Sequence, residues 1–155
     1  MSLLLFFDSC ALVKRYVTEP GSGWVGGLTR ANSGHTLNIS RITSVEITAA
    51  ITRRQRGGGL SAARANSSFR QFRRHLADRY VLPDVRPSLL TEAMGLARKH
   101  GLRGYDAVQL ASLFAGRRSL ESGGLGLLSL ASSDHELNRG AVDEGVAVID
   151  PTTHR

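Results

Sequence analysis

Leu3-Leu4-Leu5-Phe6-Phe7-Asp8-Ser9 opens the chain with five consecutive apolar residues and then stops on a carboxylate. An unbroken apolar run of this length reads as a buried strand, and Asp8-Ser9 closes it. Two more apolar runs resemble it: Leu127-Leu128-Ser129-Leu130-Ala131, which is followed by a Ser-Ser pair and Asp134, and Val146–Ile149 near the end; the last two strands are expected over Gly126–Leu130 and Val146–Ile149. Thr36–Ile39 and Tyr80-Val81-Leu82 supply two shorter ones. Helical material fills the intervals. It covers Ser9–Val17, Gly23–Ala31, Ile42–Arg54, Ser61–Arg79, Pro87–His100 and the segment that begins at Asp106. Gly57-Gly58-Gly59 breaks the third helix, Gly101 ends the fifth, and Glu121–Gly124 reads as an exposed loop. Strands alternating with helices imply an α/β fold, with a mostly parallel central sheet flanked by helices on both faces. Ligands in such folds bind beyond the carboxyl ends of the strands.

Four acids stand where a lone charge is expensive. Asp8 ends the first strand, and Glu46 is the only charge between Arg41 and Arg53. Asp106 opens Asp-Ala-Val-Gln-Leu-Ala-Ser-Leu-Phe-Ala, a segment apolar nearly all round, and Asp134 follows a strand-like run. A carboxylate in apolar surroundings is costly unless it is paired or binds a metal, and the chain offers most of these four no local cation. Each has a modest alternative. Asp8 can cap the helix after its strand, Asp106 gains from a helix dipole, and Ser133-Asp134-His135-Glu136 fits a capping box with Ser133 as N-cap. Glu46, read as a mid-helix residue, has no such benefit. One shared cause explains all four more simply: convergence on a hard cation, with oxygen-only ligands of the kind Mg²⁺ takes, and metal-dependent phosphodiester chemistry. Asp8 and Asp106 are the expected direct ligands, with Glu46 binding a second ion or orienting water and Asp134 completing the shell.

Charge is concentrated as well. The net charge of +7 comes from 20 basic and 13 acidic residues. Between Arg53 and Arg79 there are eight arginines and one acid, Asp78, which leaves 12 basic and 12 acidic residues elsewhere. Such a patch is an electrostatic footprint for a polyanion, and Arg53, Arg54, Arg56, Arg70, Arg73 and Arg74 are the expected contacts to its phosphates or to an acidic protein partner. On the same helix Ala62, Ala65, Phe69, Phe72 and Leu76 make one apolar stripe, expected to be core.

Other chemistries lack support. Five histidines show no paired zinc spacing, and Cys10 is the only cysteine, which excludes an intrachain disulfide. No phosphate-binding or dinucleotide glycine fingerprint is present. At 155 residues, 41% apolar, the chain is expected to form one domain over 1–155. Its N-terminal run is too short for a signal peptide, and no stretch approaches the roughly 20 apolar residues of a spanning helix. A cytoplasmic protein without a membrane partner is expected.

The motifs Phe7-Asp8-Ser9-Cys10-Ala11-Leu12-Val13-Lys14, Thr43-Ser44-Val45-Glu46-Ile47, Leu102-Arg103-Gly104-Tyr105-Asp106-Ala107-Val108-Gln109-Leu110-Ala111 and Ser132-Ser133-Asp134-His135-Glu136-Leu137 together resemble the four acidic motifs of PIN domains. The likeness is greatest to the VapC-type toxins of toxin–antitoxin pairs and runs from about Leu3 to Pro151. It implies a PIN-like three-layer α/β/α fold and a Mg²⁺- or Mn²⁺-dependent endoribonuclease. It also implies a small cognate antitoxin and a homodimer. Asp8, Glu46, Asp106 and Asp134 would be the acidic quartet, with Ser9 and Ser133 as polar neighbours. The Gly123–Gly126 stretch is longer than the family's pattern. Two further readings remain open: a non-catalytic RNA- or partner-binding module built on Arg53–Arg79, and a PIN-type nuclease acting without an antitoxin.

Overall fold

A computed structural model describes residues 1–154. The apolar run at the start of the chain becomes β1 (Leu4–Phe7), the central strand of the sheet. It leads into α1 (Ser9–Leu12), a 3₁₀ turn (Val13–Arg15) and α2 (Ser22–Leu28). Next come β2 (Thr36–Ile39), the helical pair α3 (Thr43–Arg56) and α4 (Ala62–Asp78), and the short strand β3 (Tyr80–Val81). The second half holds α5 (Pro87–His100), α6 (Gly104–Ser122), β4 (Ser129–Ala131), α7 (His135–Asp143) and β5 (Val148–Ile149), ending in a 3₁₀ turn (Pro151–Thr153).

All strand pairs are parallel, in the order β3-β2-β1-β4-β5. From β1 the chain winds outward through β2 to β3, then crosses back to lay β4 and β5 on the other side. The winding therefore reverses at β1 and β4, and ligand sites of doubly wound folds lie at the strand ends of such a reversal.

Side-chain alternation along β1 builds the two layers. Leu5 and Phe7 face one core with Leu12, Val25, Ile47, Ile51, Ala65 and Phe72, so α1 to α4 cover that face. Phe6 points the other way, into Leu89, Ala93, Leu110, Leu113, Leu130 and Leu137 from α5, α6, β4 and α7. Leu5, Phe6 and Phe7 are fully buried. Burying each such side chain is worth roughly 1.5–3 kcal/mol, which makes β1 the strand both layers depend on.

Three local expectations are corrected. Glu121 and Ser122 belong to α6 and not to a loop. Leu120 packs partly on the second core, and the turn closes only where Gly123 N–H and Leu125 N–H return to Leu120 O. The strand expected from Gly126 begins at Ser129, because Gly126 adopts φ 97° and Leu127 is exposed, so pairing with Leu5 starts only at Ser129. On α4, Ala65 and Phe72 are buried and Phe69 and Leu76 pack against the core, whereas Ala62 is exposed in the first turn.

Candidate active site

Each of the four acids is set by its own element. Asp8 is the residue after β1 and the N-cap of α1, its carboxylate accepting the Ala11 N–H at 2.9 Å. Glu46 and Asp106 lie in the first turns of α3 and α6, where the positive end of the helix favours an anion. Glu46 is therefore not a mid-helix charge as expected, because α3 starts only three residues before it. Asp134 caps α7 through a 2.9 Å bond from the Leu137 N–H. The N-cap is thus Asp134 itself and not Ser133, one residue later than the capping-box reading. Half of the Asp134 carboxylate is committed to its helix.

The four carboxylates line one pocket of about 240 Å³, together with Ser9, Cys10, Arg103, Tyr105 and Gln109. It sits beyond the carboxyl ends of β1 and β4, where Asp8 N–H bonds Ala131 O at 3.2 Å. Asp8 is 3% exposed, whereas Glu46, Asp106 and Asp134 are only half-buried.

Asp8 is held from several directions. Ser132 Oγ donates to its Oδ2 at 2.8 Å, and the Cys10 thiol lies 3.1 Å from both carboxylate oxygens. The same Ser132 Oγ accepts the Asp134 N–H at 3.0 Å, so one hydroxyl joins the β1 and β4 acids. Burial pushes the Asp8 carboxyl up to about 6, against the pull of the Cys10, Ala11 and Ser132 donors; the Asp106 charge adds to the rise. Asp106 is also raised to about 6, by desolvation and then by Asp134, with Arg103 opposing and Glu46 and Glu136 adding. Burial, then the Asp8 charge, lifts the Cys10 thiol to about 12, so it serves as a donor and not as a nucleophile.

Of the two serines expected to support the site, Ser9 lines the pocket and accepts from Gln109 Nε2 at 3.0 Å. Ser133 Oγ instead meets Cys10 Sγ at 3.3 Å. The six arginines do not line this pocket. All are exposed on α3 and α4; Arg54 pairs with Glu19 at 2.5 Å, and Arg70 and Arg73 border a separate groove of about 790 Å³ between these helices. Sequence reasoning missed Ser132, Arg103, Tyr105 and Gln109. Gln109 was open to detection, since an amide three residues after Asp106 shares its helix face. Ser132 was not, because only the β1–β4 pairing brings it to Asp8.

Among the described residues, no three His, Cys, Asp or Glu side chains are gathered closely enough to hold a metal ion by themselves. The donor chemistry nevertheless fits a small hard cation. Every candidate ligand is a carboxylate, and two are raised in pKa in part by their neighbours' charges. Mg²⁺ commonly takes one or two carboxylates and keeps its remaining waters, so a tight three-acid cage is not needed.

No family model matches the chain, and no curated protein matches it in sequence. Solved structures do match. PAE2754 from Pyrobaculum aerophilum is 22% identical, with 97% of this chain and 91% of that one covered, at a TM-score of 0.62. VapBC2 from Rickettsia felis, bound to a DNA fragment from their promoter, is 13% identical with 96% and 98% covered, at 0.61. FitAcB from Neisseria gonorrhoeae is 18% identical over the full length of both chains, at 0.60. At these identities the likeness is one of fold, and the five-stranded parallel sheet with helices on both faces is the PIN-like fold of these structures.

Proposed function

We propose that this chain is a divalent-metal-dependent endoribonuclease, a single PIN-like domain over 1–155 and the toxin of a toxin–antitoxin pair. The observation that carries the reading is the meeting of Asp8, Glu46, Asp106 and Asp134, from four separate elements, around one pocket at the sheet reversal. A protein that only bound RNA would gain by losing that negative cluster, because it repels phosphate.

Asp8 and Asp106 would hold the Mg²⁺ or Mn²⁺ ion, with Glu46 and Asp134 at its outer edge. When bound, such an ion activates a water and polarises a phosphoryl oxygen. The chain's own contribution is orientation. Ser132 and Cys10 fix the Asp8 carboxylate, and the α6 N-terminus with Arg103 gives the pocket a positive wall for a phosphate. Arg53, Arg54, Arg56, Arg70, Arg73 and Arg74 extend a basic surface over which an RNA backbone would continue. An antitoxin partner is supported by the structural likeness to VapBC2 and FitAcB. The apolar α3–α4 groove, with Phe69, Phe72 and Leu76 in its lining and Arg70 and Arg73 beside them, suits an acidic amphipathic segment of that partner.

The test is cleavage of RNA by the purified, partner-free chain. Activity is expected only with Mg²⁺ or Mn²⁺, and Asp8→Ala and Asp106→Ala should each abolish it while the circular dichroism spectrum stays folded. Undiminished cleavage in excess EDTA, or by either variant, would overturn the reading.

A further inference from the structure

Gln109 lies on α6, three residues after Asp106, and is 2% exposed. Its Nε2 is 3.0 Å from Ser9 Oγ, 3.0 Å from Thr43 Oγ1 and 3.0 Å from Glu46 Oε1. One amide therefore ties α6 to α1 and to two positions on the first turn of α3. The nitrogen has two protons for three acceptors, while Oε1 is buried without any donor among the described residues. A native structure rarely leaves a buried acceptor empty when a rotation would fill it. Turning this amide over would give its oxygen two hydroxyl donors, Ser9 and Thr43. It would also set that oxygen against the Glu46 carboxylate. Hydrogen bonds to a charged acceptor are roughly twice as strong as neutral ones, so the charge on Glu46 decides which way the amide faces.

We infer that Gln109 is a positioning residue: its amide holds the Glu46 carboxylate at the pocket wall, and it acts on the reaction only through Glu46. The inference rests on the nuclease reading above. It accounts for the orphaned Oε1 as the consequence of keeping the nitrogen on Glu46. With Gln109 donating, the Ser9 hydroxyl accepts, and its own proton is free to point into the pocket that Ser9 lines.

The experiment is a double-mutant cycle between Gln109→Met, which keeps length and burial but removes the donor, and Glu46→Gln. Mn²⁺ affinity by electron paramagnetic resonance, kcat and KM on a single-stranded RNA oligonucleotide, and thermal melts are measured for all four proteins. Loss of a partner that orients a ligand commonly lowers metal affinity or activity by about 10–100-fold. Gln109→Met should therefore weaken Mn²⁺ binding or lower kcat to that extent, with KM little changed. In the Glu46→Gln background the same substitution should change either value by less than about 2-fold, because residues acting through one contact are not additive. Gln109→His, which returns a ring N–H at similar reach, should recover most of the loss. If Gln109→Met does not fold, Gln109→Ala takes its place in the cycle. Equal losses in both backgrounds, or none in either, would overturn the inference while leaving a metal-binding, RNA-cleaving wild type intact. A wild type that neither binds Mn²⁺ nor cleaves RNA would remove the nuclease reading, and this inference with it.

Discussion

Asp8 and Asp106 share a raised pKa of about 6 but differ in setting. Asp8 is buried and surrounded by donors, whereas Asp106 is half-exposed and faces Asp134, Glu46 and Glu136. For Asp106 the unfolded value is 3.8 and the folded value higher, so folding favours its protonated form. Below 3.8 the residue has no effect on stability. As pH rises from 3.8 to about 6 it increasingly opposes folding, and the full penalty persists above that window. Discounting for the solvent around a half-exposed group, and for the helix-dipole benefit that is also lost, Asp106→Asn should stabilise the metal-free protein by about 1 kcal/mol at pH 7.5. That corresponds to a Tm about 2–4 °C above wild type in EDTA, with no difference at pH 3.5. Mg²⁺ should close the gap by binding only the folded wild type. A wild type that melts higher in EDTA, and that ignores Mg²⁺ and Mn²⁺, would mean that these acids share no ion site. At this scale the positions of the acids were legible in the sequence, but the reach of Glu46 and the donor on Asp8 were not. Both depend on residues 63 and 124 positions away, Gln109 and Ser132.

Helices α3 and α4 carry the charge surplus and the groove together. Periodicity identified α4 to within one residue at each end, since Phe69, Phe72 and Leu76 repeat at helical spacing and Ser61 caps the first turn through the Arg64 N–H. Its arginines emerge on the exposed side as expected, which leaves them free for a polyanion. If Arg70, Arg73 and Arg74 track RNA, replacing all three by Gln should weaken binding. It should also flatten the plot of log K against log salt by about 0.7 per lost phosphate contact, or roughly 2 in all. Fluorescence anisotropy from low to moderate salt, in EDTA to prevent cleavage, measures the slope. An unchanged slope would assign these arginines to the partner groove or to solvent.

Over the whole molecule, the final 3₁₀ turn is packed back against the start of α2. Gly21 adopts φ 92°, and a Cβ there would stand 2.7 Å from Pro151 O, so the turn into α2 fits against the final 3₁₀ turn only because it is glycine. Trp24 stacks on His154 at 4.5 Å beside it. Gly21→Ala should cost at least about 2 kcal/mol, the sum of left-handed strain and the clash, seen as a lower urea midpoint with an unchanged m-value. A midpoint within error of wild type would show that the two turns are not packed together in solution. By itself the sequence determined the element order, the parallel alternation, the identity of β1 as the buried strand and three of the acids, Asp8, Asp106 and Asp134, at helix starts. Each of these depends on local patterning, on apolar periodicity and on the residues that begin or end an element. Only the tertiary structure decided that β4 pairs with β1, that Ser132 therefore reaches Asp8, that Gln109 spans to Glu46, and that the arginines stand outside the acid pocket. Those contacts join residues far apart in the chain, and they exist only once the sheet has brought its strand ends to one edge.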